Sequence, residues 1–142
     1  MPGSLRLDTT NGQAGLFYPK TRDASFDLRP YLYLSFSVTA DDSSPANDPG
    51  WQGAQPHVLL VSDTNDYYEY VPDQVRLPRS PGALMPITVP LQGGMGWTRN
   101  KLGAADLAHV KYLAVLFDSW GAGFTVWLDD LQFGPALFLD CP

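Results

Sequence analysis

Apolar and polar residues alternate along most of the chain in short runs, separated by clusters of Gly, Pro, Asn, Asp and Ser. Side chains that alternate with a period of two belong to strands with one wet and one dry face. Tyr31 to Val38 is the clearest case. Leu32, Leu34, Phe36 and Val38 share one face, and Tyr33, Ser35 and Ser37 share the other. Val58 to Ser62 and Tyr67 to Val71 follow, split by the turn Asp63-Thr64-Asn65-Asp66. Ser4 to Asp8 and Gly15 to Tyr18 flank Thr9-Thr10-Asn11-Gly12, which reads as a hairpin turn because Asn-Gly adopts positive φ readily. Pro86 to Leu91 reads as an edge strand, since proline cannot complete a ladder. Tyr112 to Phe117 and Phe124 to Phe133 complete the set. The pattern predicts an all-β chain, a two-sheet antiparallel sandwich of about eight strands. Helix is confined to a turn or two within Asn100 to Val110.

Two connections are long for a compact domain. Thr39 to Pro56 carries Asp41, Asp42, Asp48 and Trp51, and Gln92 to Lys111 carries Trp97. If successive strands alternate in direction, the Trp51 loop, Pro72 to Met85 and the Asp118-Ser119-Trp120-Gly121 turn share one end. The Asp63 to Asp66 turn and the Trp97 connection then share the other.

Composition narrows the function. The 142 residues make one domain, with 44% hydrophobic and 13% aromatic residues for its core. The 13 prolines and 13 glycines exclude a helical bundle. Of 15 acidic residues only Glu69 is glutamate, and aspartate favours turns and oxygen-rich sites over helices. A net charge of −6 argues against a phosphate-binding surface, so nucleic acid is not an expected partner. No apolar run approaches the length of a membrane span. Cys141 is the one cysteine, so no intrachain disulfide forms. The opening Met1-Pro2-Gly3-Ser4 has no signal-peptide character, and the expectation is a single module, residues 1–142, cut from a larger protein.

Catalytic signatures are poor. His57 and His109 are the only imidazoles, and no nucleophile elbow, phosphate loop or zinc-binding helix motif occurs. Glycoside hydrolysis needs two facing carboxylates. Only Glu69 and several strand-end aspartates are on offer, and adjacent Asp129 and Asp130 point to opposite faces of a strand.

Aromatic residues carry more. Trp51, Trp97 and Trp120 lie in polar, glycine-containing stretches, where they either plug the ends of the core or stand out as platforms. Sugar rings stack their C–H faces on such platforms while their hydroxyls take hydrogen bonds. In Tyr67-Tyr68-Glu69-Tyr70, alternation separates Tyr68 and Tyr70 from Tyr67 and Glu69. A face of Tyr68, Tyr70 and Tyr33 is a second candidate platform, or simply the high β-propensity of tyrosine. Asp129, inside an apolar strand, needs a partner: a calcium ion, or one of Arg6, Arg29 and Arg76.

Phe26-Asp27-Leu28-Arg29-Pro30-Tyr31-Leu32-Tyr33-Leu34-Ser35-Phe36-Ser37-Val38 resembles a strand of the galactose-binding-like jelly rolls, a group with many carbohydrate-binding modules. Ile87 to Leu91, Asp106 to Leu113 and Phe124 to Phe133 resemble later segments of the same group, so the likeness runs from Ser4 to Phe133. The resemblance implies a jelly roll that binds glycans without catalysis, attached to a secreted glycoside-active enzyme. It also implies a structural calcium, with Asp129 on the last strand and Asp8 nearest on the first as ligands. The candidate glycan residues are Trp51, Trp120, Tyr68, Tyr70, Tyr33 and Trp97. The competing classes are a protein-interaction sandwich with no sugar ligand and a hydrolase built on Glu69.

Overall fold

The computed structural model describes residues 4–9, 13–41, 55–73, 84–118 and 124–134. Nine strands follow in order: β1 (Leu5–Thr9), β2 (Gln13–Tyr18), β3 (Tyr33–Asp41), β4 (Gln55–Ser62), β5 (Tyr67–Pro72), β6 (Met85–Pro90), β7 (Trp97–Leu102), β8 (Val110–Asp118) and β9 (Phe124–Gly134). They form two antiparallel sheets. One has the order β1-β9-β3-β6 and the other β2-β8-β4-β5-β7. Among the described residues the helical content is a single 3-10 turn at Leu107–His109, capped by Asp106, whose Oδ1 accepts from the Ala108 N–H at 2.9 Å.

The core lies between the sheets and follows the alternation. Leu34, Phe36, Val38 and Ala40 of β3 face Val58 and Leu60 of β4, Tyr68 and Tyr70 of β5, and Leu113, Val115 and Phe117 of β8, all buried. β6, with Pro86 and Pro90, is an edge strand as its prolines require.

Two expectations change. β1 and β2 do not form a hairpin: β1 pairs with β9 and β2 with β8, one in each sheet. Asn-Gly signals a tight turn, but it does not dictate that the strands on either side pair. The stretch Gln92 to Lys111 is not a structureless connection, because Trp97–Leu102 adds a ninth strand at the edge of the larger sheet. Its polar sequence suits an edge, where one flank of the strand is wet. Between Ser35 and Ser37 the β3–β9 register shifts, and Asp130 there takes φ 56°. The Asp129 carboxylate accepts the Asp130 N–H at 2.8 Å, closing this bulge locally.

The Tyr18–Pro19 peptide bond is cis, and the chain then crosses from the larger sheet to the smaller. This strap is tied down on both sides. Phe26 and Val110 exchange N–H···O bonds of 2.8 and 3.0 Å, Leu28 N–H donates to Leu107 O at 2.8 Å, and Leu32 N–H donates to Gly134 O at 3.0 Å.

Candidate functional site

The wet face of the larger sheet assembles from three rows of side chains that the strand registers set side by side. Gly15, Leu116 and His57 form the first. Phe17, Ala114, Leu59, Glu69 and Asn100 form the second. Tyr112, Val61, Tyr67 and Leu102 form the third. These are the alternates of the core-facing residues on the same strands, so their position follows from the buried face.

Phe17 is the most open ring on that face, 50% exposed. Its setting depends on Gly15: a Cβ there would stand 2.8 Å from Leu116 Cδ2 and 3.3 Å from Phe17 Cε2. Without it, the Phe17 ring and the Leu116 side chain close in over the strand. Phe17 and Tyr112 lie 6.3 Å apart between ring centroids, tilted by 50°. The Arg22 guanidinium sits 3.9 Å from the centre of the Tyr112 ring and 5.9 Å from that of Phe17. This places fixed N–H donors beside the open ring. Across the sheet, Asn100 Nδ2 donates to Glu69 Oε1 at 3.2 Å, giving a neighbouring donor and acceptor. A depression of about 390 Å³ lies beside the platform, lined by Gln13, Ala14, Gly15, Phe17, His57, Leu116 and Phe117. Flat apolar rings flanked by paired polar groups suit a ligand with one C–H face and a hydroxyl rim.

A second cavity, of about 380 Å³, lies under the strap and is lined by Tyr18, Pro19, Phe26, Asp27, Leu28, Tyr31, Val110, Tyr112, Leu113 and Phe133. Tyr18, Phe26 and Tyr31 are 60%, 45% and 38% exposed. At its wall Arg29 Nε and Nη2 donate to the two oxygens of Asp27 at 2.9 and 2.8 Å. Those bonds, with the Arg29 backbone N–H, bring the Asp27 carboxyl down to about 2.

The tyrosine platform expected from Tyr33, Tyr68 and Tyr70 does not exist as a surface. Tyr68 and Tyr70 face the core, and Tyr70 is wholly buried with its hydroxyl donating to Leu91 O at 2.8 Å. The Tyr68 ring also carries the Arg99 guanidinium 4.5 Å from its centre. Tyr33 belongs to the other sheet, half-buried, its hydroxyl 3.9 Å from Met95 Sδ. Trp97 is buried at the start of β7. Trp51 and Trp120 fall outside the described residues. The strands they connect do meet at one end, where Gln55 pairs with Asp118 and Asp41 with Thr125.

Asp8 and Asp129 are not brought together. Asp8 pairs in register with Thr125, accepts from its hydroxyl at 2.6 Å and contacts Arg6 at 3.0 Å. Asp129 is four residues further along β9, roughly 13 Å at the rise of a strand, too far for the two carboxylates to share one ion. No group of three or more metal-binding side chains forms among the described residues.

The residues that sequence reasoning passed over are Phe17, Tyr67, Tyr112 and Arg22. One signal pointed to them: Tyr67 shares its strand face with Glu69, and a carboxylate marks the wet side.

No known protein family matches the sequence, and no curated protein matches it. Solved structures do match. The family 11 carbohydrate-binding module of the cellulosomal cellulase Lic26A-Cel5E of Clostridium thermocellum aligns with 94% of this chain and 75% of its own, at TM-score 0.58 and 12% identity. An exo-beta-agarase aligns over 94% of this chain at TM-score 0.65 and 15% identity. The beta-1,2-glucanase from Parabacteroides distasonis does so at TM-score 0.52 and 20% identity. The likeness is one of fold. This chain spans 20% of the agarase and 19% of the glucanase, so in both the similar sandwich is one part of a much longer chain.

Proposed function

We propose that the chain is a non-catalytic glycan-binding module, an accessory of an extracellular glycoside-active enzyme. The glycan lies on the wet face of the five-stranded sheet. Phe17 is the stacking platform and Tyr67 a second ring, with Arg22, Glu69, Asn100 and His57 supplying hydrogen bonds. The observation that carries this reading is the open Phe17 ring, set over Gly15 between a 390 Å³ depression and the Arg22–Tyr112 pair. The carbohydrate-binding module and the two sugar-polymer enzymes among the structural neighbours support it. A hydrolytic role for Glu69 finds less support, since its side chain pairs with an amide, Asn100, where a glycosidase needs a second carboxylate. Trp51 and Trp120, outside the described residues, are further candidate contacts; the strands that flank them in sequence meet where Gln55 pairs with Asp118.

Affinity electrophoresis through gels containing agarose, a soluble cellulose derivative or β-1,2-glucan tests this. Retardation by at least one polymer is expected, and Phe17→Ala should abolish it. Free migration in all three gels would favour the protein-interaction alternative, to which the apolar Leu59, Leu116 and Val71 on the same face would also lend themselves.

A further inference from the structure

The two cavities lie at opposite ends of one strip along β2 and β8. From the depression, Gly15 and Leu116 lead to Phe17 and Ala114, and these lead to Pro19 and Tyr112, which line the cavity under the strap. Tyr112 belongs to both places: it lies beside Phe17 at a tilt and under Arg22 on the sheet face, and it walls the strap cavity. The strap walls this cavity through Pro19, Phe26, Asp27, Leu28 and Tyr31. Leu28 is buried, and the Phe26–Val110, Leu28–Leu107 and Leu32–Gly134 hydrogen bonds hold the strap across the gap between the sheets.

We propose that the strap cavity is an end subsite, which holds the terminal sugar ring of a neutral glycan chain whose following rings lie on Phe17. This inference rests on the sheet-face reading above and adds a direction and a stop to it. The cavity's size falls in the range of small-ligand sites. Its exposed rings, Tyr18, Phe26 and Tyr31, offer faces for stacking on pyranose C–H groups. Its one carboxylate, Asp27, is neutralised by the two-point contact with Arg29, which favours an uncharged ring over a cationic or anionic one. A chain that must thread further is refused by the strap, so a free end binds better than a chain interior.

The test uses cellohexaose, neoagarohexaose and a β-1,2-linked glucohexaose, each beside its parent polymer, by isothermal titration. Tyr18→Ala and Tyr31→Ala should weaken the bound hexasaccharide about tenfold, while the affinity for polymer, poor in ends, changes less than twofold. Phe17→Ala should weaken both. Equal losses for hexasaccharide and polymer in the cavity variants would make the cavity an ordinary interior subsite and overturn the proposal. So would unchanged binding in both cavity variants. In those two cases the loss in Phe17→Ala would leave the sheet-face reading standing. If no hexasaccharide or polymer binds the wild-type chain, both readings fall. Tyr18, the more exposed ring, keeps the test valid if Tyr31→Ala does not fold.

Discussion

Tyr70 and Leu91 are joined by a buried hydrogen bond of 2.8 Å, from the phenol to the backbone carbonyl, and Arg99 Nη1 donates to the same oxygen at 3.1 Å. Burial pushes the Tyr70 phenol well above its ordinary value, so it stays a donor at neutral pH. Removing the hydroxyl leaves the carbonyl with its arginine partner. Tyr70→Phe should therefore cost only about 1 kcal/mol of unfolding free energy, and Tyr70→Ala about 3–5 kcal/mol through the lost ring. Urea titration measures both. Glycan affinity should be unchanged in Tyr70→Phe, and a selective loss of binding at wild-type stability would return Tyr70 to the ligand site.

Gly15 separates the platform from the scaffold. The atoms that a new Cβ would meet belong to the ends of the Leu116 and Phe17 side chains, which can swing away. Gly15→Ala should thus change stability by less than about 1 kcal/mol yet lift the Phe17 ring off the strand and weaken glycan binding severalfold. Thermal melts with a parallel affinity gel decide the matter; wild-type affinity in this variant would show that the ring's setting is irrelevant.

Gly103 behaves in the opposite way. It has φ 66°, and a Cβ would collide with the Asp66 carboxylate, whose Oδ2 accepts the Ala104 N–H at 2.9 Å. Strain and clash act together, so Gly103→Ala should destabilise by roughly 1–3 kcal/mol. Glycan affinity should fall less than in Phe17→Ala, because the turn adjoins the second ring, Tyr67, which pairs with Leu102, and lies at the opposite edge of the sheet from Phe17. A neutral effect on the urea midpoint would contradict the packing described.

Alternation in the sequence was enough for the sandwich and for its core strands, because burying one face imposes a period of two that composition cannot mask. It was not enough for β7, where Arg99 and Lys101 occupy core-side positions at the sheet's rim and break the apolar pattern. Non-local pairing was also out of reach: Leu5–Thr9 and Gln13–Tyr18 look like a hairpin until β9 and β8 claim them. In Tyr67-Tyr68-Glu69-Tyr70 the period separated the rings correctly. Choosing the dry pair required knowing that Tyr70 meets Val58 and Tyr67 meets Val61 across the ladder. The bulge at which the Asp129 carboxylate takes the Asp130 N–H was not legible either, because a local register shift leaves no periodic mark.

The Asp106–His109 pair, 2.9 Å apart, gives stability a mild pH dependence. The Asp106 carboxylate raises His109 above its ordinary 6.5, so this contribution is complete below that value and fades as pH rises through the raised one. Asp106 is lowered from 3.8, chiefly by the same contact, so its contribution is present above that value and fades as pH falls through the lowered one. The pair thus stabilises most between the two. Melting temperatures of wild type and His109→Gln should differ most between pH 3.8 and 6.5 and converge as pH rises through the raised His109 value. A difference that grows from pH 6 to 8 would contradict the assignment. Both groups are exposed, so the effect is small.

Amide and aromatic NMR shifts, followed while a binding hexasaccharide is added to the uniformly labelled chain, test the binding face most directly. Shifts are expected along β2, β8, β4, β5 and β7, largest at Gly15, Phe17, Tyr67, Asn100 and Tyr112, with the outward residues of β3 and β6 silent. Perturbations confined to the segments carrying Trp51 and Trp120, or to the smaller sheet, would contradict it.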